Sequence, residues 1–195
     1  MNPEKPSLTV TRNTCPVCGR ELLTMWVPDD IPYFGEVMHI TSQCECGFKY
    51  SDTLILTQRE PVHYELKVKS RDDLDSRVVR STSGTIRIPE LGVDIEPGPA
   101  SESFVSNVEG VLDRVSDILE MVKRWDEEGK TERAHELLCT IEDIKAGKCE
   151  VTVILEDPLG NSAIIAKNAT RRRLTDEEAE RLKTGMVMFE KGEVE

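Results

Sequence analysis

Two closely spaced cysteine pairs constrain this chain more than any other feature. Each pair is directly followed by glycine, which adopts the positive φ found just past a tight turn at little cost. Two such turns can bring four thiolates together as a tetrahedron around one Zn²⁺, which is the arrangement of a zinc ribbon. The four candidate ligands are Cys15, Cys18, Cys44 and Cys46.

This pattern predicts a closed structural site for one zinc ion. Four protein ligands leave no open position for water, so the metal would hold the fold rather than catalyse a reaction. The second pair is one residue tighter than the usual spacing, and the arm between the pairs is long. The alternative is a set of four reduced cysteines in a β-rich segment without metal.

The arm between the pairs predicts a long hairpin. Strand-like segments cover Glu21–Val27 and Glu36–Ser42, and the intervening residues 28–35 contain two prolines, two aspartates and a glycine. The tip then carries Tyr33 and Phe34, and exposed aromatic side chains on a rigid tip are typical anchors for a protein partner. The alternative is that both rings fold back on the protein.

After the ribbon, short strand-like segments alternate with turn residues. Repeated short strands of this kind favour a sandwich or barrel over a parallel sheet. The segments are residues 52–57, 63–68, 77–81, 85–88, 92–95, 151–155 and 162–166.

A helical hairpin interrupts this β pattern. Apolar residues recur at helical spacing from Phe104 to Val122, and Ser106 with Glu109 has the form of a capping box. A second helix is predicted from about Thr131 to Ala146. Because β segments lie on both sides, we place the hairpin, at about 104–147, as an insertion in one mainly β domain. A short final helix is predicted from Thr175.

Composition limits the partners. The chain has 195 residues and a formal net charge of −12, so nucleic acid is an unlikely general partner and a basic protein fits better. Arg171–Arg173 is a local exception, which we interpret as a solvated loop, with RNA contact as the alternative. No signal peptide or long apolar run is evident. We therefore expect a cytoplasmic protein that does not enter membranes.

Enzymatic motifs are absent from the sequence. There is no Walker A loop, dinucleotide fingerprint or His-Glu-x-x-His helix, so we expect no small-molecule substrate. His63 and Glu65 have the spacing of two of the three iron ligands in iron-dependent oxygenases, which use two histidines and a carboxylate. The third ligand would have to be His135, which lies inside a predicted helix. Cys139 and Cys149 are interpreted as buried free thiols.

Six segments, in order along nearly the whole chain, resemble the ZPR1 zinc-finger family. They are residues 15–19 (CPVCG), 31–37 (IPYFGEV), 73–81 (DLDSRVVRS), 85–92 (TIRIPELG), 104–110 (FVSNVEG) and 157–162 (DPLGNS).

The resemblance implies a single module: a zinc ribbon followed by a double-stranded β-helix, or jelly-roll-like, domain with an inserted helical hairpin. We divide the chain into a tail (1–11), the ribbon (12–58) and the β domain (59–195). The C-x-C pair departs from the two intervening residues usual in eukaryotic members, and His39 is an alternative ligand to Cys44.

The resemblance also implies a function. The family is associated with translation elongation factor one-alpha, which it binds through its zinc-finger region and helps to fold. We therefore expect a non-enzymatic binding protein. The alternative is a ribbon that contacts RNA or a transcription or translation complex. The predicted partner contacts are Tyr33, Phe34, Asp157, Asn161 and Ser162.

Overall fold

The computed structural model describes residues 8–32, 34–98, 101–124 and 130–185. The chain divides into two compact units, residues 1–58 and 59–195. No helix within these described ranges is both long enough and apolar enough to cross a bilayer.

The first unit is a four-stranded antiparallel sheet whose strands lie side by side in chain order. The strands are β1 (Thr9–Thr14), β2 (Glu21–Ile31), β3 (Gly35–Gln43) and β4 (Lys49–Ile55). The long hairpin predicted between the cysteine pairs is present as β2 and β3. Its loop is shorter than predicted, because β2 continues to Ile31 and β3 begins at Gly35.

The start of the ribbon was predicted wrongly. Residues 9–11 were assigned to a tail, but they belong to β1, which pairs with β2 from Thr9 opposite Trp26 to Thr14 opposite Glu21. Trp26 Nε1 also donates to Thr11 Oγ1 at 2.9 Å. Cross-strand pairing and this side-chain bond hold in the sheet a segment that is too polar to be recognised as a strand.

The second unit is a jelly roll of two antiparallel sheets. The larger sheet has the order β12-β5-β10-β7-β8, and the smaller has the order β11-β6-β9. The strands are β5 (Val62–Val68), β6 (Arg77–Arg80), β7 (Thr85–Ile88), β8 (Val93–Ile95), β9 (Phe104–Asn107), β10 (Val151–Asp157), β11 (Ala163–Ile165) and β12 (Thr170–Arg173).

One apolar core joins both sheets and the helical hairpin. Leu66, Ile86 and Leu155 come from the larger sheet, and Val78 and Ile164 come from the smaller one. Helix α2 (Val108–Arg124) and helix α3 (Lys130–Lys145) add a second set. This set comprises Val108, Val111, Leu112, Val115, Ile141 and Ile144. The prediction of a mainly β chain with an inserted helical hairpin is confirmed.

The start of the hairpin differs from the prediction. Phe104–Asn107 forms strand β9, because it pairs with β6 from Arg80 to Arg77. The helix begins at Val108, and Asn107 Oδ1 accepts the N–H of Gly110 at 2.9 Å. Asn107, not Ser106, therefore caps the helix. Gly129, which the sequence predicts as the end of this helix, lies outside the described residues.

Two further short helices flank the sheets. The short helix predicted from Thr175 is present as α4 (Asp176–Glu180), and Thr175 and Glu178 form a capping box at its start. Helix α1 (Arg71–Leu74) lies in a polar stretch for which no element is predicted above, with Ser70 and Asp73 capping its start. Capping side chains supply partners for the first N–H groups of each helix.

Candidate functional site

Four cysteine sulfurs lie together at one end of the ribbon sheet. The sulfurs of Cys15, Cys18, Cys44 and Cys46 are all within 4.8 Å of one another. Cys15 and Cys46 are 3.8 Å apart, and Cys18 and Cys44 are 3.5 Å apart. Sulfurs about 2.3 Å from a central Zn²⁺ at tetrahedral corners would be roughly 3.8 Å apart. The donor set and its spacing therefore fit one zinc ion.

Two tight turns present these sulfurs. In the first, Gly19 N donates to Cys15 O at 2.9 Å, and Gly19 has a φ of 71°. In the second, Gly47 N donates to Cys44 O at 3.0 Å, and Gly47 has a φ of 94°. The second turn thus closes one residue earlier, which accounts for the C-x-C spacing.

The thiols perturb one another. The backbone N–H and the side chain of Arg20 lower the pKa of Cys18 to about 6. The backbone N–H of Cys46 lowers the pKa of Cys44, but burial and the neighbouring thiols outweigh it and raise that pKa to about 12. Thiolates this close repel one another, and a cation bound among them removes the penalty of deprotonating all four.

Arg20 also belongs to this site, although it is not among the residues predicted from the cysteine pattern. Its guanidinium lies beside Cys18 and donates from Nη1 to Glu45 Oε2 at 3.3 Å. Its position two residues after Cys18 was the available signal, because a cation there lowers the charge of a thiolate cluster.

His39, the alternative ligand to Cys44, lies outside the metal site. His39 Nδ1 is 3.0 Å from Thr53 Oγ1, and its Nε2 is 3.7 Å from Asp29 Oδ2. His39 does not belong to the sulfur cluster, whereas Cys44 does.

Cys139 and Cys149 are both exposed, so their prediction as buried thiols is wrong. Cys139 faces away from the stripe that α3 buries, and Cys149 lies in the loop before β10.

Of the two aromatic residues predicted at the hairpin tip, the structure describes only Phe34. Tyr33 lies outside the described residues. Phe34 is only 7% exposed, which fits the alternative that its ring folds back on the protein. A partner contact through Phe34 would require the ring to leave this position.

The ribbon exposes apolar side chains on its edge strand instead. Tyr50 and Leu54 in β4 are 49% and 45% exposed, and Leu56, just beyond the strand, is 52% exposed. Tyr50 and Leu54 project from the same face, since they are four residues apart along a strand. Leu56 lines a surface depression of about 400 Å³ together with Pro28 and Val37. We name Tyr50, Leu54 and Leu56 the β4 apolar strip. The pattern of the sequence contains a partial signal for this strip, because residues 52–57 form one of the predicted strand-like segments.

Asp157 lies at the centre of a buried hydrogen-bond network. It accepts from the hydroxyls of Ser81, Ser83 and Ser162 at 2.7, 2.7 and 2.6 Å. It also accepts from the backbone N–H groups of Leu159 and Asn161 at 2.8 and 3.0 Å. Asp157, Asn161 and Ser162 are each at most 3% exposed. This burial favours the alternative that they shape the turn, because their side chains present almost no surface to a partner.

The run of three arginines lies in a strand rather than in a loop. Arg171–Arg173 belongs to β12, which pairs with β5. Arg172 makes a two-bond contact with Glu178, at 2.8 and 2.9 Å. Arg173 lies 3.6 Å from Glu60, and Arg171 lies over the ring of Tyr64. These partners partly neutralise the candidate RNA-binding patch.

His63, considered above as an iron ligand, is held by a hydrogen bond to Glu156. Its Nδ1 lies 3.0 Å from Glu156 Oε1, and Glu156 also accepts from Arg87 at 2.5 Å. Within the described ranges, one cluster contains three or more potential metal ligands. It consists of the four cysteines and does not include His63. His63 therefore has a structural partner in the larger sheet.

Comparison with known proteins agrees with this architecture. A model of the ZPR1 zinc-finger domain matches residues 9–53, and a model of the ZPR1 jelly-roll domain matches residues 72–186. The second match alone spans more than half of the chain. This chain belongs to the ZPR1 family.

Among ZPR1-family relatives, two archaeal proteins match over almost their full length. A ZPR1-like protein of Methanocaldococcus jannaschii is 50% identical over 185 residues, covering 93% of each chain. A ZPR1-like protein of Pyrococcus horikoshii is 46% identical over 202 residues, covering 100% of this chain and 90% of the relative. The zinc finger chaperone zpr1 of Schizosaccharomyces pombe is 30% identical over 166 residues, covering 76% of this chain and 34% of the relative.

Proposed function

We propose that this ZPR1-family protein is a non-enzymatic, cytoplasmic binding protein that holds translation elongation factor one-alpha and assists its folding. The family resemblance supplies the client, and the fission-yeast relative is named a zinc finger chaperone. The zinc is structural in this proposal, because four cysteines occupy all four positions of a tetrahedral site.

The exposed β4 apolar strip is the observation that carries the proposal. A protein that holds an incompletely folded client needs accessible apolar surface, and grouped apolar side chains on a soluble domain are typical of interaction sites. The strip lies on an edge strand, whose outer side pairs with no other strand among the described residues and could pair with a segment of the client. We therefore assign client binding to the β4 apolar strip and to Tyr33 at the hairpin tip.

Charge would act on the rate of association. The net charge of −12 favours encounter with a basic client surface, and this long-range attraction weakens as salt screens it. The association rate should fall as ionic strength rises, while the dissociation rate changes less. A rate that does not depend on salt would remove this part of the proposal.

The test compares two matched surface variants in binding to the purified elongation factor of the same organism. Leu54→Ser removes one side chain of the strip. Val10→Ser is the control, because Val10 is 51% exposed on the other edge strand and projects from the opposite face of the sheet. Tyr33→Ala tests the tip separately. Each variant is first checked for one bound zinc per chain.

We expect Leu54→Ser to weaken binding about tenfold, as for loss of a central apolar contact, and Val10→Ser to leave binding unchanged. Equal effects of the two variants would refute the assignment to the strip. No binding by the wild type, whether the factor carries GDP, GTP or no nucleotide, would refute the client itself. RNA binding with a steep salt dependence, lost on neutralising Arg171–Arg173, would then favour the alternative function.

A further inference from the structure

A small pocket in the jelly-roll unit is not used by the proposed function. It has a volume of about 310 Å³ and lies between β6, β9 and α2. Two arginines and an aromatic ring form its most distinctive part, and isoleucines complete its apolar wall. Its lining residues include Arg80, Ile95, Glu102, Phe104, Arg114 and Ile118.

Arg80 is fixed in place by its own hydrogen bonds. Its Nε donates to Gly84 O at 2.8 Å, and its Nη1 donates to Ser101 Oγ at 3.1 Å and to Glu102 O at 3.3 Å. The residue is only 4% exposed. Its Nη2 donates to none of the described residues, so part of this buried guanidinium remains available at the pocket.

Arg114 approaches the same aromatic ring from α2. Its Cζ lies 4.3 Å from the centre of the Phe104 ring, and Arg80 Cζ lies 5.7 Å from that centre. Cation–π contact partly stabilises each guanidinium, but the two positive charges repel each other. Within the described ranges no carboxylate forms an ion pair with either one, although the buried Asp157 lies near enough to favour the charge on Arg80.

We infer that this pocket binds an oxyanion, as the carboxylate or phosphate group of a small ligand. Guanidinium groups recognise both kinds of oxyanion through paired N–H donors, and such bonds are stronger when both partners are charged. A bound anion would also relieve the repulsion between Arg80 and Arg114. We name the site the oxyanion pocket, and it is independent of the client proposed above.

Glu102 sets a limit on the affinity. Its carboxylate belongs to an exposed residue on the pocket lining, so it opposes the entry of an anion. Replacing Glu102 with Gln removes this repulsion while keeping the size of the side chain. Binding should then become tighter, which is an effect that simple damage to the fold cannot produce.

The test measures binding of three probes by NMR chemical shifts. Inorganic phosphate and an N-acetylated, C-amidated glutamate represent the two sources of an oxyanion, and the corresponding glutamine compound is the uncharged control. Arg114→Gln removes the exposed guanidinium. Arg124→Gln is the matched control, since it removes the same charge from an exposed position at the far end of α2.

We expect one or both anions to shift the signals of Arg80, Phe104 and Arg114, with no shift from the glutamine compound. Arg114→Gln should weaken binding about tenfold, Glu102→Gln should tighten it, and Arg124→Gln should leave it unchanged. A response to phosphate alone or to the glutamate compound alone identifies the source of the oxyanion. No saturable shifts at millimolar concentration, or equal effects of the two arginine variants, would overturn the inference.

Discussion

Replacing Asp157 should reveal how strongly one buried carboxylate stabilises the jelly roll. Asp157 is fully buried and accepts five hydrogen bonds. Asp157→Ala leaves all five donors without this acceptor. One of them has an alternative, since the hydroxyls of Ser81 and Ser83 lie 3.0 Å apart and one can donate to the other.

The expected magnitude follows from the donors that remain without an acceptor. These are the backbone N–H groups of Leu159 and Asn161, the hydroxyl of Ser162 and one of the two hydroxyls of Ser81 and Ser83. A buried group left unsatisfied costs about 1–3 kcal/mol. Because the turn can relax and admit water, we expect a total loss of about 3–5 kcal/mol in the free energy of unfolding, near the upper end for single substitutions.

Urea denaturation, followed by NMR signals from β5 and β10, measures the stability of the jelly-roll unit. Asp157→Asn keeps one acceptor oxygen and should cost less than Asp157→Ala. Asp117→Asn, on the exposed side of α2, is the control and should change stability by less than about 0.5 kcal/mol. A loss below about 1 kcal/mol for Asp157→Ala would show that the network is not a major source of stability.

Three further predictions concern the metal, a turn and an acid-sensitive cap. Cys18→Ser should abolish stoichiometric zinc binding and unfold the ribbon while β5 to β12 keep their NMR signals; tightly bound zinc in that variant would contradict the site. Gly160→Ala should destabilise the jelly roll by more than about 1 kcal/mol, because Gly160 has a φ of 71° and an added Cβ would collide with the carbonyl of Glu60; an unchanged melting temperature would contradict this. The backbone N–H of Lys69, the Ser70 hydroxyl and Asn168 hold the pKa of Asp73 below its usual value. Its contribution to stability should therefore be complete above about pH 4 and be lost as the pH falls through the lower folded-state pKa. Asp73→Asn should remove that part of the acid dependence, measured by thermal unfolding across pH.

Local sequence patterns predicted those elements that depend on residues close together in the chain. The paired cysteines identified the ribbon, and short strand-like segments between turn residues identified β5 and β7. Thr175 and Glu178, three residues apart, identified the start of α4. Each of these signals depends on spacing within a few residues, which secondary structure determines directly.

Elements that depend on distant partners were not predictable in this way. The sequence pattern predicts a helix at β9, but this segment is extended because it pairs with β6. β1 and β12 are polar segments held by neighbouring strands. Asp157 lies in a sequence of turn residues, yet it is buried because hydroxyls 74 and 76 residues away satisfy it. Such long-range contacts override local propensity.

The same distinction applies to the candidate sites. The metal cluster follows from spacing, since both turns are local. The β4 apolar strip and the oxyanion pocket do not, because exposure and the approach of Arg80 and Arg114 to one ring depend on the assembled sheets and helices. The exposure of Cys139 likewise depends on which side of α3 packs against the core.

The most direct test of the central proposal is the refolding yield of elongation factor one-alpha in the presence of this protein. Chemically denatured factor is diluted into buffer with wild-type protein, with Leu54→Ser or with Val10→Ser, and native factor is quantified by guanine-nucleotide binding. We predict that the wild type and Val10→Ser raise the yield and that Leu54→Ser raises it much less. Equal yields with and without the wild-type protein would contradict a role in folding this client.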